Sequence, residues 1–186
     1  MKRVGKLREF AARTPVFDTK SATRIIGDRD YAQLLLNLLM RNGEIRRVTK
    51  GYYTVHEDPS LLVYCLKPAY LGLQDAMSFH NLWEQETNPI ILTARKVRTG
   101  TRNVLGGNAI VRRISPRHFF GYEHLRQGDL LLPVSDIEKT FIDMAYFREI
   151  RKDMLPEFRR KMDRKKLKAY LKKYDRRFAG RVLRMG

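Results

Sequence analysis

The spacing of apolar and polar positions between residues 18 and 55 predicts two helices followed by a short hairpin. Ala22, Ile25 and Ile26 fall on one face of a helix that Asp18 can cap, and Gly27 can take the left-handed conformation that ends it. Asp28 caps a second helix, in which Tyr31, Leu34, Leu35, Leu38 and Leu39 recur at helical spacing as the buried side. Asp30, Gln33, Asn37 and Arg41 form a polar stripe opposite them, and Asn42 with Gly43 closes the helix. The segment EIRRVTKGYYTV has strand formers on either side of Lys50 and Gly51, the pattern of a two-residue hairpin. Upstream, Val4, Leu7, Phe10 and Ala11 predict a supporting helix that ends at Thr14 before Pro15, and Phe17 can pack on Ala22 as a hydrophobic staple. Helix, tight turn, helix and basic hairpin describe a winged helix-turn-helix, whose second helix enters the major groove of DNA.

A polar stripe alone marks any surface helix. Here it carries Gln33, Asn37 and Arg41, side chains able to make two hydrogen bonds to one base edge, and the hairpin adds Arg46, Arg47 and Lys50 in the right order. Lys20, Ser21, Arg24 and Arg29 on the helix pair and Tyr52 on the hairpin complete the candidate DNA-binding set.

His56 to Pro59 reads as a boundary, so the expected organisation is a winged domain over 1–58, a second domain over 59–147 and a basic helical extension over 148–186 packed on it. In the second domain LLVYCL predicts a buried strand holding the lone Cys65, and KPAYLG leads into a helix from about Leu71 to Trp83. That helix turns Leu73, Ala76, Met77, His80 and Leu82 or Trp83 inward. NPIILTAR and NAIVRRIS are strands joined by a Gly-rich basic loop, VRTGTRNVLGG; HFFGYEHL and DLLLPVS extend the sheet. Ser135 with Glu138 makes the capping box of a helix running to Tyr146 or Arg148. Short strands with interspersed helices indicate an α+β fold. From Asp153 onward, Leu155, Phe158, Met162, Leu167, Tyr170, Leu171, Tyr174, Phe178, Val182 and Leu183 form a thin seam that docks two or three helices.

Charge sharpens this division. The chain carries net +18, and residues 1–57 hold 12 basic and 6 acidic side chains, 58–147 hold 10 and 9, and 148–186 hold 16 and 5. A near-neutral centre between two cationic ends suits polyanion binding at both ends, since each phosphate neutralised releases counterions. Lys165, Lys166, Lys172, Lys173, Arg176 and Arg177 are the expected second phosphate-binding surface. No apolar run is long enough to span a bilayer and no apolar signal region follows the basic N-terminus, so no membrane partner is expected and the cytoplasm is the default location.

The order of a basic winged segment ending in KGYYTV, then YCLKPAYLGLQDAMSFHNLWEQ, PIILTAR and LPVSDIEKTFIDMAYF resembles the AbiEi family of antitoxins over residues 5–147. YLGLQDAMSFHNL is similar to the family's helix pattern, and SDIEKTFIDM to its D-x-E-K-T-L-x-D helix. The resemblance implies an N-terminal winged domain that represses its own operon and a second α+β domain. It also implies a functionally linked nucleotidyltransferase-like toxin, opposed without a stable complex. The expected partner is double-stranded DNA, an operator built as an inverted repeat.

For catalysis the residues to weigh are His80, Glu84, Glu86, Glu138, Lys139 and Asp143. Lys139 and Asp143 are four apart, an ordinary intrahelical ion pair, and the capping box accounts for Glu138. The strands IILTAR and AIVRRIS carry no carboxylate to hold a metal, His80 has no second ligand at zinc spacing, and Gly106 and Gly107 lack the G-K-S/T of a phosphate loop. The expectation is a DNA-binding repressor without enzyme activity, metal or cofactor. A metal-dependent nuclease, or an RNA- or ribosome-associated binding protein, is the alternative.

Overall fold

A computed structural model describes residues 2–85 and 87–186. Its N-terminal part orders as α1 (Lys2–Arg13), β1 (Phe17–Asp18), α2 (Thr19–Ile26), α3 (Arg29–Arg41), β2 (Arg46–Thr49) and β3 (Tyr52–Thr54). The three strands pair in the order β1-β3-β2. This is the element order of a winged helix-turn-helix. The caps fall where side-chain chemistry requires them. Asp18 accepts from the Ser21 amide at 2.8 Å and Asp28 from the Tyr31 amide at 2.7 Å, while Gly27 turns the chain at φ 82°. Each such cap stabilises its helix by about 1 kcal/mol. Leu7, Ala22, Ile26, Leu36, Leu39 and Tyr53 fill the core between helices and sheet.

The expected buried face of α3 is corrected. Ala32, Leu35, Leu36 and Leu39 point inward, whereas Tyr31, Leu34 and Leu38 face solvent. The helix is apolar around most of its circumference, and only the approach of α1 and α2 decides which apolar stripe is covered.

A 3-10 turn (Pro59–Leu61) and α4 (Leu62–Cys65) open the second domain, so LLVYCL is helical rather than a strand: Asp58 caps the turn, with Pro59 at its first position. Cys65 is buried there, and burial pushes its thiol up to about 12. Six strands follow in the order β6-β7-β5-β4-β9-β8. They are β4 (Ala69–Leu71), β5 (Ile90–Thr93), β6 (Gly100–Val104), β7 (Gly107–Arg113), β8 (Tyr122–Gln127) and β9 (Leu130–Ser135). The strand β4 runs antiparallel to β5 and parallel to β9. Two expectations change here. Ala69–Leu71 is a strand, so the helix after it is α5 (Leu73–Phe79), and the middle of the basic loop is strand β6, turned into β7 at Leu105 and Gly106, both at positive φ.

Side-chain alternation divides the sheet. Ala69, Leu71, Ile91, Val111 and Val134 face the 3-10 turn and α4, where Val48 of the wing joins the same cluster. Tyr70, Ile90 and Leu92 face α5, α6 (Ile137–Tyr146) and the C-terminal helices α7 (Leu155–Lys161), α8 (Arg164–Leu171) and α9 (Arg176–Met185). Phe158, Leu167, Leu171 and Val182 of the basic extension therefore belong to the second domain's own core, while Leu183 at the end of the seam is exposed. The α+β architecture also places the α6 cap one residue later than expected: Asp136, not Ser135, accepts from the Lys139 amide at 2.8 Å.

Candidate nucleic-acid interface

A groove of about 780 Å³ lies between the helix pair and the hairpin of the winged domain. Lys20 and Arg24 reach it from α2, one turn apart on one face; Arg29 and Gln33 come from the first turns of α3; Arg47 and Lys50 come from the wing. The wing is held at this position by Thr19, whose amide donates to the Gly51 carbonyl at 3.0 Å. Gly51 occupies φ 79°, which a β-carbon would strain. Along β2, Val48 turns into the core beneath the second domain and its neighbour Arg47 turns out. Among the described residues, Lys20, Arg24, Arg29, Arg47 and Lys50 have no carboxylate within ion-pairing distance. Five cations without an ion-pair partner among the described residues gather on one concave surface, an excess of positive charge that favours a polyanion.

Asn37 and Arg41 continue along the exposed side of α3, and Gln33 donates to Asn37 at 3.3 Å. Three expected members fall elsewhere. The Ser21 hydroxyl donates to Asp18 at 2.7 Å as part of the cap and lines a separate cleft toward Tyr64 and Arg95; Tyr52 faces that cleft too. Arg46 is ion-paired with Glu57. Thr19, Thr23 and Tyr53 line the groove without having been expected there; the four-residue spacing of Thr19 and Thr23 beside Lys20 and Arg24 is the signal that marks them.

The six basic residues expected as a second phosphate-binding surface differ in their surroundings. Lys165, Lys172, Lys173, Arg176 and Arg177 are exposed, with Lys173 lying 3.9 Å over the Phe120 ring. Lys166 is otherwise engaged, 3.1 Å from Asp136 and 3.0 Å from Glu138, and although burial opposes it, these carboxylates raise its pKa.

Of the residues weighed for catalysis, Glu138, Lys139 and Asp143 are buried. Lys139 and Asp143 form an ion pair with neither side chain accessible, so this is no ordinary surface pair. Tyr70 donates to Asp143 at 2.7 Å, and the Tyr174 hydroxyl lies 3.4 Å from the Lys139 ammonium. Desolvation lowers the pKa of Lys139 and raises that of Asp143. Glu138 accepts from the Asp163 amide at 2.7 Å, and His80 Nε2 lies 2.7 Å from the Ser135 carbonyl. Glu84 is exposed at a cavity of about 460 Å³ beside Asp75, a buried residue whose carboxyl is pushed by burial to about 7. Glu86 lies outside the described residues. Among the described residues, no group of three or more His, Cys, Asp and Glu side chains is placed to hold a metal ion, and no helix is long and apolar enough to cross a membrane.

No protein-family model matches this sequence, and no curated protein matches it. Among solved structures, the fold is similar to that in the crystal structure of the RV2827C protein from Mycobacterium tuberculosis. The TM-score is 0.64 and the sequence identity 15%, over 98% of this chain and 75% of that one. At that identity the likeness is one of fold.

Proposed function

We propose that this protein is a sequence-specific repressor that binds double-stranded operator DNA through its winged domain. The observation that carries the reading is the convergence of Lys20, Arg24, Arg29, Arg47 and Lys50, from three elements, on one groove beside the outward-facing amides of α3. Cations flanking a helix position it by phosphate contacts, and the amides it then presents read base edges. The sequence resemblance to AbiEi antitoxins extends the proposal to autorepression of a toxin-antitoxin operon, opposite a nucleotidyltransferase-like toxin. The exposed Lys172, Lys173, Arg176 and Arg177 serve as a second phosphate-binding surface that lengthens the footprint.

Alanine substitution of Gln33, Asn37 or Arg41 separates reading from mere attachment. Each should cost ~1 to 3 kcal/mol on a selected operator and little on random duplex. Equal losses on the two DNAs would leave α3 touching backbone only, and no loss on either would move the reading surface elsewhere. A nucleotidyltransferase-like reading frame beside the gene, toxic when expressed alone and tolerated with this protein, is the expected outcome for the antitoxin part.

A further inference from the structure

The outer side of α3 carries more than amides. Leu34 is 63% exposed, Leu38 49% and Tyr31 43%, although the helix has buried apolar positions enough to anchor itself. At about 100° per residue, a path around the helix away from the basic groove meets Gln33, Asn37, Asp30, Arg41, Leu34 and Leu38 in turn. The amides are side by side, since Gln33 donates to Asn37 at 3.3 Å. An apolar strip in water is unfavourable, and something of matching chemistry should cover it. Its surroundings select the occupant. The adjoining surface presents Lys20, Arg24, Arg29, Arg47 and Lys50, which an apolar protein partner would leave unneutralised. The major groove of DNA supplies phosphates for the cations and one apolar group on a base edge, the 5-methyl of thymine.

Glutamine and asparagine match the N6 and N7 edge of adenine, and leucine matches the thymine methyl; both features belong to A·T pairs. We infer that α3 reads A·T pairs, with Gln33 or Asn37 on adenine and Leu34 packed against the 5-methyl group of a thymine. The inference rests on the DNA-binding reading above and names the class of sequence bound.

The test begins with selection of duplexes from a random pool by the full chain, followed by replacement of each thymine of the selected half-site with deoxyuridine, which removes only the methyl. The half-site should contain A·T pairs, and uridine at one or two positions should weaken binding about fourfold, the worth of one buried methyl. Leu34→Ala, at an exposed position outside the core, should bind the thymine duplex more weakly by a similar factor and become indifferent to uridine at that position. Selected sites insensitive to uridine throughout, or an undiminished uridine effect in Leu34→Ala, would overturn the inference while leaving DNA binding intact. A shift of Leu34→Ala to a smaller oligomer with the uridine effect unchanged would assign the strip to a second copy instead, and also overturn it. Absence of binding to any duplex at low salt would remove the DNA-binding reading itself.

Discussion

Replacing Lys139 with methionine keeps the length of the side chain and deletes its charge. In the native chain the ammonium is ion-paired with Asp143, 3.4 Å from the Tyr174 hydroxyl, and lies 5.1 and 5.6 Å from the ring centres of Phe120 and Tyr70. Neither charged group reaches solvent, so after Lys139→Met the Asp143 carboxylate keeps only the Tyr70 hydroxyl. Breaking a buried pair on one side costs about 3 to 5 kcal/mol, a large part of the total stability of a domain this size. Substituting both, Lys139→Met with Asp143→Leu, removes both desolvation penalties and should recover most of the loss. The single variant carries a pH signature as well. The folded-state pKa of the orphaned Asp143 lies above its unfolded value, so stability is retained at acid pH and lost as pH rises through the folded value. Urea unfolding followed by circular dichroism, with the slope against urea unchanged, measures all three. A single variant within about 1 kcal/mol of the parent, or a double variant no better than the single, would refute this reasoning.

Asp75, held at about 7 by burial rather than at its ordinary 3.8, binds a proton in the folded state across that interval; its own contribution to stability should be fully present below its ordinary value and be lost as pH rises through 7. Asp75→Asn should therefore stabilise the protein at pH 8, by at most about 4 kcal/mol, and leave it unchanged at pH 4; melting temperatures that differ equally at both pH values would contradict this. Truncation after Tyr146 should unfold the second domain, because Phe158, Leu167, Leu171 and Val182 are part of its core. Charge reversal at Lys172, Arg176 and Arg177 leaves that core intact and should flatten the slope of log affinity against log salt by ~0.9 for each phosphate no longer neutralised, while preference for operator over random DNA survives.

Local chemistry was legible in the sequence wherever one residue type decides the outcome. Asp18 and Asp28 cap, Gly27 stops a helix, and Lys50 with Gly51 turns the wing. What was not legible depends on partners far along the chain. The short apolar run at 61–66 has no period that separates a strand from a buried helix, and the cap at Asp58 settles it. On α3 two apolar stripes compete, and packing against α1 and α2 leaves Leu34 outside. That Lys20, Arg24, Arg29, Arg47 and Lys50 share one groove follows from their positions on the helix pair and the hairpin. The surroundings of Ser21, Tyr52 and Arg46 were not legible, because a cap, a domain junction and Glu57 engage them. The pairing of Lys139 with Asp143 follows from spacing, but its burial does not. That burial comes from Tyr70 and Tyr174, 73 residues before Asp143 and 35 after Lys139.

Binding of duplex DNA in the winged groove should depend on cations that have no carboxylate partner among the described residues. The most direct test is fluorescence-anisotropy titration of a labelled duplex over a range of salt, comparing the parent chain with the combined Arg29→Ala, Arg47→Ala and Lys50→Ala variant. Arg46→Ala, whose guanidinium is ion-paired with Glu57, serves as the control. Binding by the parent should weaken steeply with salt, with a slope shallower by roughly 2 to 3 in the triple variant and little change in the control. A triple variant that is folded and binds with the parent's affinity and salt slope would contradict that dependence.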